Sequence, residues 1–235
     1  MKIGFYVINL DDAKDRLDDI KKSFELINIP FCKISAIDGK KLKKSDYFSI
    51  YKNLYYKPLS LEEIGCYMSH IKCWKKVIDD GVDYAVILED DVLVDKRLIN
   101  FLSLFSKIEW LSWDIIKLIS SVRKAKIIYQ KLDNNLNIVK YHPQSVSTCG
   151  QIITQKAAKK LLLKKNISRP VDVDLQFTWE NNLNIFSLYP DILNQQVVES
   201  TIVKSANRNK SLSIRYWLNK WKYEMYFFLR CFVEN

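Results

Sequence analysis

Three consecutive acidic residues follow a short apolar stretch near the middle of the chain. In the sequence AVILEDDV, Ala85 to Leu88 are apolar, and Glu89, Asp90 and Asp91 come directly after them. Three carboxylates at one place raise each other's pKa unless a cation neutralises them. Carboxylate oxygens are suitable ligands for Mg²⁺ or Mn²⁺, which can bridge the phosphates of a nucleotide. The alternative is an acidic loop exposed to solvent.

Strand geometry distinguishes the three acids. Alternate residues of a strand point to opposite sides, so Glu89 and Asp91 share one side and Asp90 faces the other. We therefore expect Glu89 and Asp91 to bind the metal ion. Asp90 would then be free to bind a sugar hydroxyl or a neighbouring backbone group.

The surrounding pattern predicts a rigid support for these acids. Strand-like and helix-like segments alternate, which is typical of an α/β fold with a mostly parallel central sheet flanked by helices. Ligands of such sheets bind beyond the carboxyl ends of the strands, where the acids would lie. The predicted strands are 3–9, 31–37, 84–88, 113–119, 151–154 and 184–188, and the predicted helices are 11–27, 61–79, 155–165 and 172–181.

Composition narrows the class of protein. The 235 residues include only five glycines and five prolines, with no repeat, so we expect an ordinary globular protein. The longest apolar runs are far below the ~20 residues that span a bilayer, and the first residues resemble a strand more than a signal peptide. Five scattered cysteines indicate a reducing cytoplasm more than a disulfide framework.

The net charge of +10 indicates an anionic partner or merely a lysine-rich surface. Acids at the presumed ligand edge and the lack of a recognition motif argue against nucleic acid. The segment from 204 to 235 is the most basic, and it contains a helical apolar stripe. Such a stripe beside basic residues indicates a helix lying on anionic lipid; the alternative is that it packs on the core or on another subunit. The stripe comprises Ile214, Trp217, Leu218, Trp221, Met225, Phe228, Leu229 and Phe232.

An ordered set of motifs resembles glycosyltransferase family 25, which includes bacterial lipooligosaccharide galactosyltransferases and, as distant relatives, collagen galactosyltransferases. The resemblance covers approximately residues 1–202. The EDD motif alone would be weak evidence for the family, and the ordered set of motifs strengthens it. The motifs are INLDDAKDR (8–16), AIDGK (36–40), LEEIGCYMSHIKCW (61–74), VILEDDVLV (86–94), WDIIKL (113–118), TCGQIITQKAAKKLL (148–162), PVDVDLQF (170–177) and QQVVESTI (195–202).

The resemblance implies a GT-A-like fold and a UDP-sugar donor, usually UDP-galactose. It also implies transfer with inversion to a sugar acceptor, with Mn²⁺ or Mg²⁺ bound by the acidic motif. Gln151 departs from the family, in which Tyr is frequent at this place. By position, the resemblance assigns donor binding to Asn9, Arg16, Glu63, Ser69, His70 and Asp90, with Glu89 and Asp91 at the metal.

An inverting transfer requires a carboxylate base. Asp172 and Asp174 are the candidates, and Asp172 is preferred because it alone matches the family element; the alternative for both is a helix cap. His70 is either a donor-site hydrogen-bond donor or a satisfied core histidine. Lys117 at the end of IIKL is either a donor phosphate ligand or a solvated lysine.

The sequence therefore predicts a single transferase domain at 1–203 and a basic, amphipathic helical tail at 204–235. The expected activity is β-galactosyl transfer to a lipooligosaccharide or lipopolysaccharide acceptor by a cytoplasmic protein attached peripherally to the inner face of the membrane. The alternatives are a metal-dependent nucleotidyl- or phosphotransferase, for which no P-loop or GxGxxG motif is found, and a catalytically inactive protein with a transferase fold.

Overall fold

The computed structural model describes residues 1–120, 126–196 and 214–233 of the chain. The strands are β1 (Ile3–Asn9), β2 (Cys32–Ser35), β3 (Tyr84–Glu89), β4 (Val92–Leu93), β5 (Ile115–Lys117), β6 (Lys126–Lys131), β7 (Asn137–Tyr141), β8 (Gly150–Thr154), β9 (Ile185–Tyr189) and β10 (Asn194–Gln195). The helices are α1 (Lys14–Ile27), α2 (Lys44–Tyr47), α3 (Leu61–Asp79), α4 (Lys96–Ser103), α5 (Gln155–Leu162), α6 (Val171–Asp174) and α7 (Ile214–Val233), with 3-10 turns at Gly39–Lys41, Phe105–Ile108 and Thr178–Glu180.

Eight strands form one mixed sheet, in the order β2-β1-β3-β8-β5-β9-β7-β6. The pairs β1–β2, β1–β3 and β5–β9 are parallel, and the other four neighbouring pairs are antiparallel. As a result, β1, β2, β3, β5 and β9 all run in the same direction, and their carboxyl ends meet at one edge. The short strands β4 and β10 pair separately.

Hydrophobic cores cover both faces of the sheet because side chains alternate along each strand. Val86 and Leu88 of β3 face the core to which α1 and α4 contribute. Ala85 and Ile87 face the second core, which α3 and α5 cover. Burial on both faces accounts for the unbroken apolar run before the three acids.

The predicted α/β class, the central sheet with its flanking helices and the C-terminal helix are confirmed. The α3 bounds and its capping box are also as predicted, with Ser60 Oγ accepting from Glu63 N at 3.1 Å. The predicted helix 172–181 is interrupted: α6 ends at Asp174 and a 3-10 turn follows, because Asp174 and Phe177 are both held by Arg169. The predicted domain boundary at 203/204 lies outside the described residues.

One aromatic face of α7 holds the helix against the domain. Tyr223 contacts Tyr55 with ring centroids 5.0 Å apart, and Phe227 contacts Phe177 at 5.0 Å. Seven of the eight residues of the predicted apolar stripe lie exposed on the other face and do not pack on the core of this chain; the side chain of the eighth, Phe232, lies outside the described part. In the described ranges, no helix combines the length and the apolar character needed to cross a membrane. The exposed members of the stripe are Ile214, Trp217, Leu218, Trp221, Met225, Phe228 and Leu229.

Candidate functional site

A cavity of about 720 Å³ lies at the carboxyl ends of β1 and β3. These strands are adjacent and parallel, and Ile8 of β1 pairs with Glu89 of β3, so the segments that follow the two strands leave the sheet side by side. All three acids line the cavity. They therefore lie at the edge of the sheet at which the sequence predicts ligand binding.

Asp90 is held by residues of β1 and α1. Asn9 Nδ2 donates to Asp90 Oδ2 at 2.8 Å and to the carbonyl of Ala13 at 3.0 Å. The Arg16 guanidinium pairs with Asp90 Oδ1 at 2.9 Å. Burial raises the pKa of Asp90, although Asn9 and Arg16 oppose this. Three predicted donor-binding residues are therefore joined in one hydrogen-bonded unit, with both Asp90 oxygens engaged.

Glu89 points to the opposite side, towards α3. His70 Nε2 lies 3.3 Å from Glu89 Oε1, and Thr148 Oγ1 donates to the same oxygen at 2.8 Å. Burial raises the pKa of Glu89, but the hydrogen bonds from His70 and Thr148 and the electrostatic attraction of His70 outweigh it, so the pKa is lowered. Glu89 is therefore held by two side-chain hydrogen bonds, and His70 is a fully buried partner of the acid cluster.

Asp91 has an oxygen without a partner. Gln195 Nε2 donates to Asp91 Oδ2 at 2.7 Å, whereas Oδ1 is buried and no described residue contacts it by a hydrogen bond. Burial raises the pKa of Asp91, and Glu89 and Asp90 add to the rise while Gln195 opposes it. An unpartnered carboxylate oxygen is a suitable ligand for a hard divalent cation, and Glu89 is close enough to raise the pKa of Asp91. The chemistry of these two carboxylates therefore fits Mn²⁺ or Mg²⁺, and the metal remains a prediction.

Close packing of α3 against the loop after β2 forms the floor of the cavity. Ser69 Oγ accepts from the Ile37 N–H at 2.8 Å and donates to the Gly65 carbonyl at 2.7 Å. A Cβ on Gly65 would stand 2.7 Å from the Ile37 oxygen, and one on Gly39 would stand 2.4 Å from the Leu61 oxygen. Both glycines allow this close approach, and Ser69 positions the loop.

Glu63 does not line the cavity. Its carboxylate accepts from Ser60 N at 2.7 Å and from Lys57 Nζ at 3.2 Å, so it caps α3. Its role in donor binding remains a prediction that these contacts do not favour.

Asp172 and Lys117 lie near each other, outside the cavity lining. Burial lowers the pKa of Lys117 to about 8, and Asp172 opposes the fall. Burial raises the pKa of Asp172; the Val173 N–H at 2.8 Å and Lys117 oppose the rise, and Glu89 adds to it. Asp172 is therefore within electrostatic reach of the acid cluster. Lys117 is fully buried and donates to the Ser145 carbonyl, so the alternative of a solvated lysine is wrong, because β5 is a central strand.

Asp174, the second predicted base, belongs to a buried ion-pair cluster. Its carboxylate accepts from Tyr67 Oη at 2.6 Å, from Arg169 at 2.8 Å and from Lys164 at 2.5 Å. These three donors occupy the carboxylate. Among the two candidates, the contacts therefore favour Asp172 as the base, and its catalytic role remains a prediction.

Among the residues that the structure describes, Thr148 and Gln195 donate side-chain hydrogen bonds, which we did not predict, to the acids. Thr148 is 59 positions from Glu89, and Gln195 is 104 positions from Asp91. Both lie in segments that carry the family resemblance, TCGQIITQKAAKKLL and QQVVESTI. Their position in these two motifs was the signal in the sequence that could have identified them as site residues. Residues 197–202 of the second segment lie outside the described residues.

The sequence of this chain is similar to a family of glycosyltransferases. The family model for glycosyltransferase family 25 (LPS biosynthesis protein) matches residues 2–175. Procollagen galactosyltransferase 2 of Homo sapiens is 29% identical over 74% of this chain and 30% of its own length, and procollagen galactosyltransferase 1-B of Xenopus laevis is 28% identical over 72% and 29%. The lipooligosaccharide biosynthesis protein lic2B of Haemophilus influenzae is 29% identical over 66% of this chain and 61% of its own length. The chain thus spans less than a third of the procollagen enzymes.

Proposed function

Because the chain belongs to glycosyltransferase family 25, we propose that it transfers galactose from UDP-galactose, with inversion, to a terminal sugar of a lipooligosaccharide or lipopolysaccharide acceptor. The observation that carries this proposal is the acid cluster at the end of β3, in which Asp91 Oδ1 is buried without a described partner. Galactose as the sugar is supported by the names of the procollagen relatives, and the acceptor by that of lic2B.

Glu89 and Asp91 would hold the divalent cation, Mn²⁺ or Mg²⁺. When bound, such a cation stabilises the negative charge that develops on a departing diphosphate. The neighbouring unit of Asn9, Asp90 and Arg16 presents polar groups to the same cavity. We assign this unit to the uridine or phosphate part of the donor, and His70 to orienting Glu89.

Asp172 would accept the proton of the acceptor hydroxyl. Its pKa is raised by burial, and a carboxylate is a better base when its pKa lies nearer to the working pH. Lys117 would then position Asp172 electrostatically, without contacting a phosphate. Inversion needs a single displacement in which the base activates the acceptor directly.

The exposed stripe of α7 would attach the protein to the inner leaflet of the cell membrane. Trp217 and Trp221 are 55% and 60% exposed, and Lys220, Lys222 and Arg230 accompany them on the helix. Apolar residues flanked by cations bind anionic lipid interfaces. This attachment would bring the active site to a lipid-linked acceptor.

Flotation with vesicles tests the attachment. The wild-type protein should float with anionic vesicles and less with neutral ones, whereas a Trp217→Ser/Trp221→Ser variant should stay in solution. Glu224→Gln changes an exposed residue outside the stripe and should float as the wild type does. Failure of the wild type to float at low salt, or flotation of the double tryptophan variant to the same extent as the wild type, would contradict membrane attachment through the stripe.

A donor panel tests the reaction. UDP release would be measured from UDP-galactose, UDP-glucose and UDP-N-acetylglucosamine with lactose- or glucose-terminated acceptors, in Mn²⁺ or in EDTA. We expect metal-dependent release from UDP-galactose that increases with acceptor. Turnover of a different donor would correct the sugar, and no turnover with any donor would contradict the proposal.

A further inference from the structure

We propose that a second cavity, at the opposite edge of the sheet, binds an acidic sugar, a saccharide unit that carries a carboxylate or a phosphate. The cavity has a volume of about 470 Å³, which falls in the range of small-molecule sites. Asp114 and Asn184, which precede β5 and β9, contribute to its wall. It is therefore separate from the acid cluster, which lies at the carboxyl ends of the parallel strands. The inference rests on the proposed function only in taking a glycan as the natural ligand.

Two buried polar groups of this cavity have no partner in the part of the chain that the structure describes. Gln144 is 5% exposed; its Nε2 donates to the Ile185 carbonyl at 2.8 Å, and its Oε1 accepts no hydrogen bond. The indole Nε1 of Trp179 is buried and donates none. Unpaired buried polar groups are costly, so a ligand that satisfies them gains affinity.

This pair of groups selects a ligand with hydroxyls. Gln144 Oε1 needs a donor and Trp179 Nε1 needs an acceptor, and a sugar hydroxyl is both. Inorganic sulfate offers acceptors alone, so it satisfies Trp179 and leaves Gln144 unpaired. The lining therefore favours a saccharide over a free inorganic anion.

The charge of the cavity favours an acidic saccharide. Lys160 is neutralised by Asp114 at 2.7 Å. Lys140 and Lys156 also line the cavity, and neither forms an ion pair within the described ranges; Lys140 instead lies over the Phe186 ring at 5.8 Å. Two uncompensated ammonium groups attract a carboxylate or phosphate on the ligand.

The tail helix completes this site. Cys231 of α7 lines the cavity, and the Arg230 guanidinium lies 5.7 Å from the centre of the Trp179 ring. A sugar in this cavity would contact both the domain and the tail. The site thus links a glycan to the helix whose other face we assign to the membrane.

Calorimetric titration of the full chain tests the proposal, with 3′-sialyllactose, lactose and inorganic sulfate as probes and with UDP and Mn²⁺ present to occupy the donor site. Sialyllactose should bind more tightly than lactose or sulfate. Lys156→Gln should weaken its binding about threefold, as for one exposed charge pair. Trp179→Phe, which keeps a ring and removes the N–H, should weaken it about fivefold, as for one hydrogen bond. Lys159→Gln, on the same exposed side of α5 but outside the lining, should change nothing.

The outcomes separate this site from the proposed function. No saturable binding of sialyllactose, or equal binding by Lys156→Gln, Trp179→Phe and Lys159→Gln, would overturn the second site. A thermal melt of Trp179→Phe that matches the wild type shows that the fold is intact. If sialyllactose binds with the predicted pattern while no UDP-sugar is turned over, the proposed function fails and this site stands. Turnover without such binding gives the reverse result.

Discussion

Two clusters of carboxylates lie against the same stretch of α3, and their contacts differ. Tyr67 of α3 donates to Asp174, which also accepts from Arg169 and Lys164. His70, one turn further along α3, contacts Glu89 instead. In the first cluster, cations and a hydroxyl surround the carboxylate. In the second, three acids meet and Asp91 keeps an unpartnered oxygen.

The difference separates a structural role from a reactive one. A buried ion pair is costly to break, because the partners are left uncompensated. An unneutralised carboxylate, whose pKa burial raises, is ready for a cation or a proton instead. We therefore expect substitutions in the Asp174 cluster to reduce stability, and those at Asp91 or Asp172 to reduce turnover.

The largest effect is expected for Asp172→Asn. Loss of the base should lower kcat by about 10³-fold, within the range for general-base catalysis. The free energy of unfolding should change little, because removing a desolvated charge offsets the electrostatic compensation that Lys117 loses. The measurement is UDP release from UDP-galactose in the presence of acceptor, with a thermal melt as the control. Retention of more than a tenth of the wild-type rate would show that another group is the base.

The pH profile sharpens this assignment. Burial raises the pKa of Asp172, so the unprotonated base should be lost as the pH falls through that raised pKa. The kcat/KM of the wild type should therefore decline at a higher pH than an ordinary aspartate would cause. Protonation of Asp91 also weakens activity at low pH by displacing Mn²⁺, so the profiles are compared at saturating Mn²⁺. Under that condition Asp172→Asn should lack this acid limb; an identical limb in the variant would assign it to a different group.

Asp174→Asn should have the next largest effect, on stability. Removing the charge leaves Arg169 and Lys164 with less compensation and should cost about 3 kcal/mol of unfolding free energy. Chemical denaturation checks the cost. At a temperature at which the variant is folded, its kcat should stay within about threefold of the wild type, as expected for a residue without a part in general-base catalysis. A stable variant with a large loss of kcat would reverse the roles of the two aspartates.

Mn²⁺ should stabilise the wild-type protein by about 2.7 kcal/mol at a concentration 100 times its Kd. Because burial raises the pKa of Asp91, this gain should shrink as the pH falls through that raised pKa and the ligand becomes protonated. Thermal melts with Mn²⁺ at several pH values measure it, and Asp174→Asn should keep the gain. A Mn²⁺ effect that grows as the pH falls would contradict the assignment.

The smallest effect is expected for Glu63→Gln. Its carboxylate caps α3, so the substitution should cost about 1 kcal/mol or less of unfolding free energy. The KM for UDP-galactose should not change. A severalfold rise in KM with an intact fold would restore the donor-binding role that the family resemblance implies.

The position of the acid cluster was predictable from the sequence, because a buried parallel strand followed by acids leaves few places for their carboxylates. The different roles of Asp172 and Asp174 were not predictable from the sequence. Both follow Pro170 in the same motif. Asp174 is distinguished by its contacts with Arg169, Lys164 and Tyr67, and Tyr67 lies 107 positions away. Such pairing depends on how α3 and α6 pack together and leaves no periodic pattern.

The complete burial of Lys117 was likewise not predictable from the sequence. The motif WDIIKL places this lysine at the end of a strand, where a solvated side chain is usual. Its complete burial follows from the neighbours β8 and β9 on both sides of β5. Strand order is a long-range property, so the sequence predicted the strand without its central position.

The most direct test of the account is calorimetric titration of UDP with Mn²⁺ or with EDTA, for the wild type, Asp91→Asn and Asp174→Asn. We predict that Mn²⁺ tightens UDP binding by the wild type and by folded Asp174→Asn, and that Asp91→Asn loses this gain while retaining the wild-type melting temperature. Equal UDP binding with Mn²⁺ and EDTA in the wild type, or an unchanged Mn²⁺ gain in Asp91→Asn, would contradict the claim that Glu89 and Asp91 hold a cation for the donor.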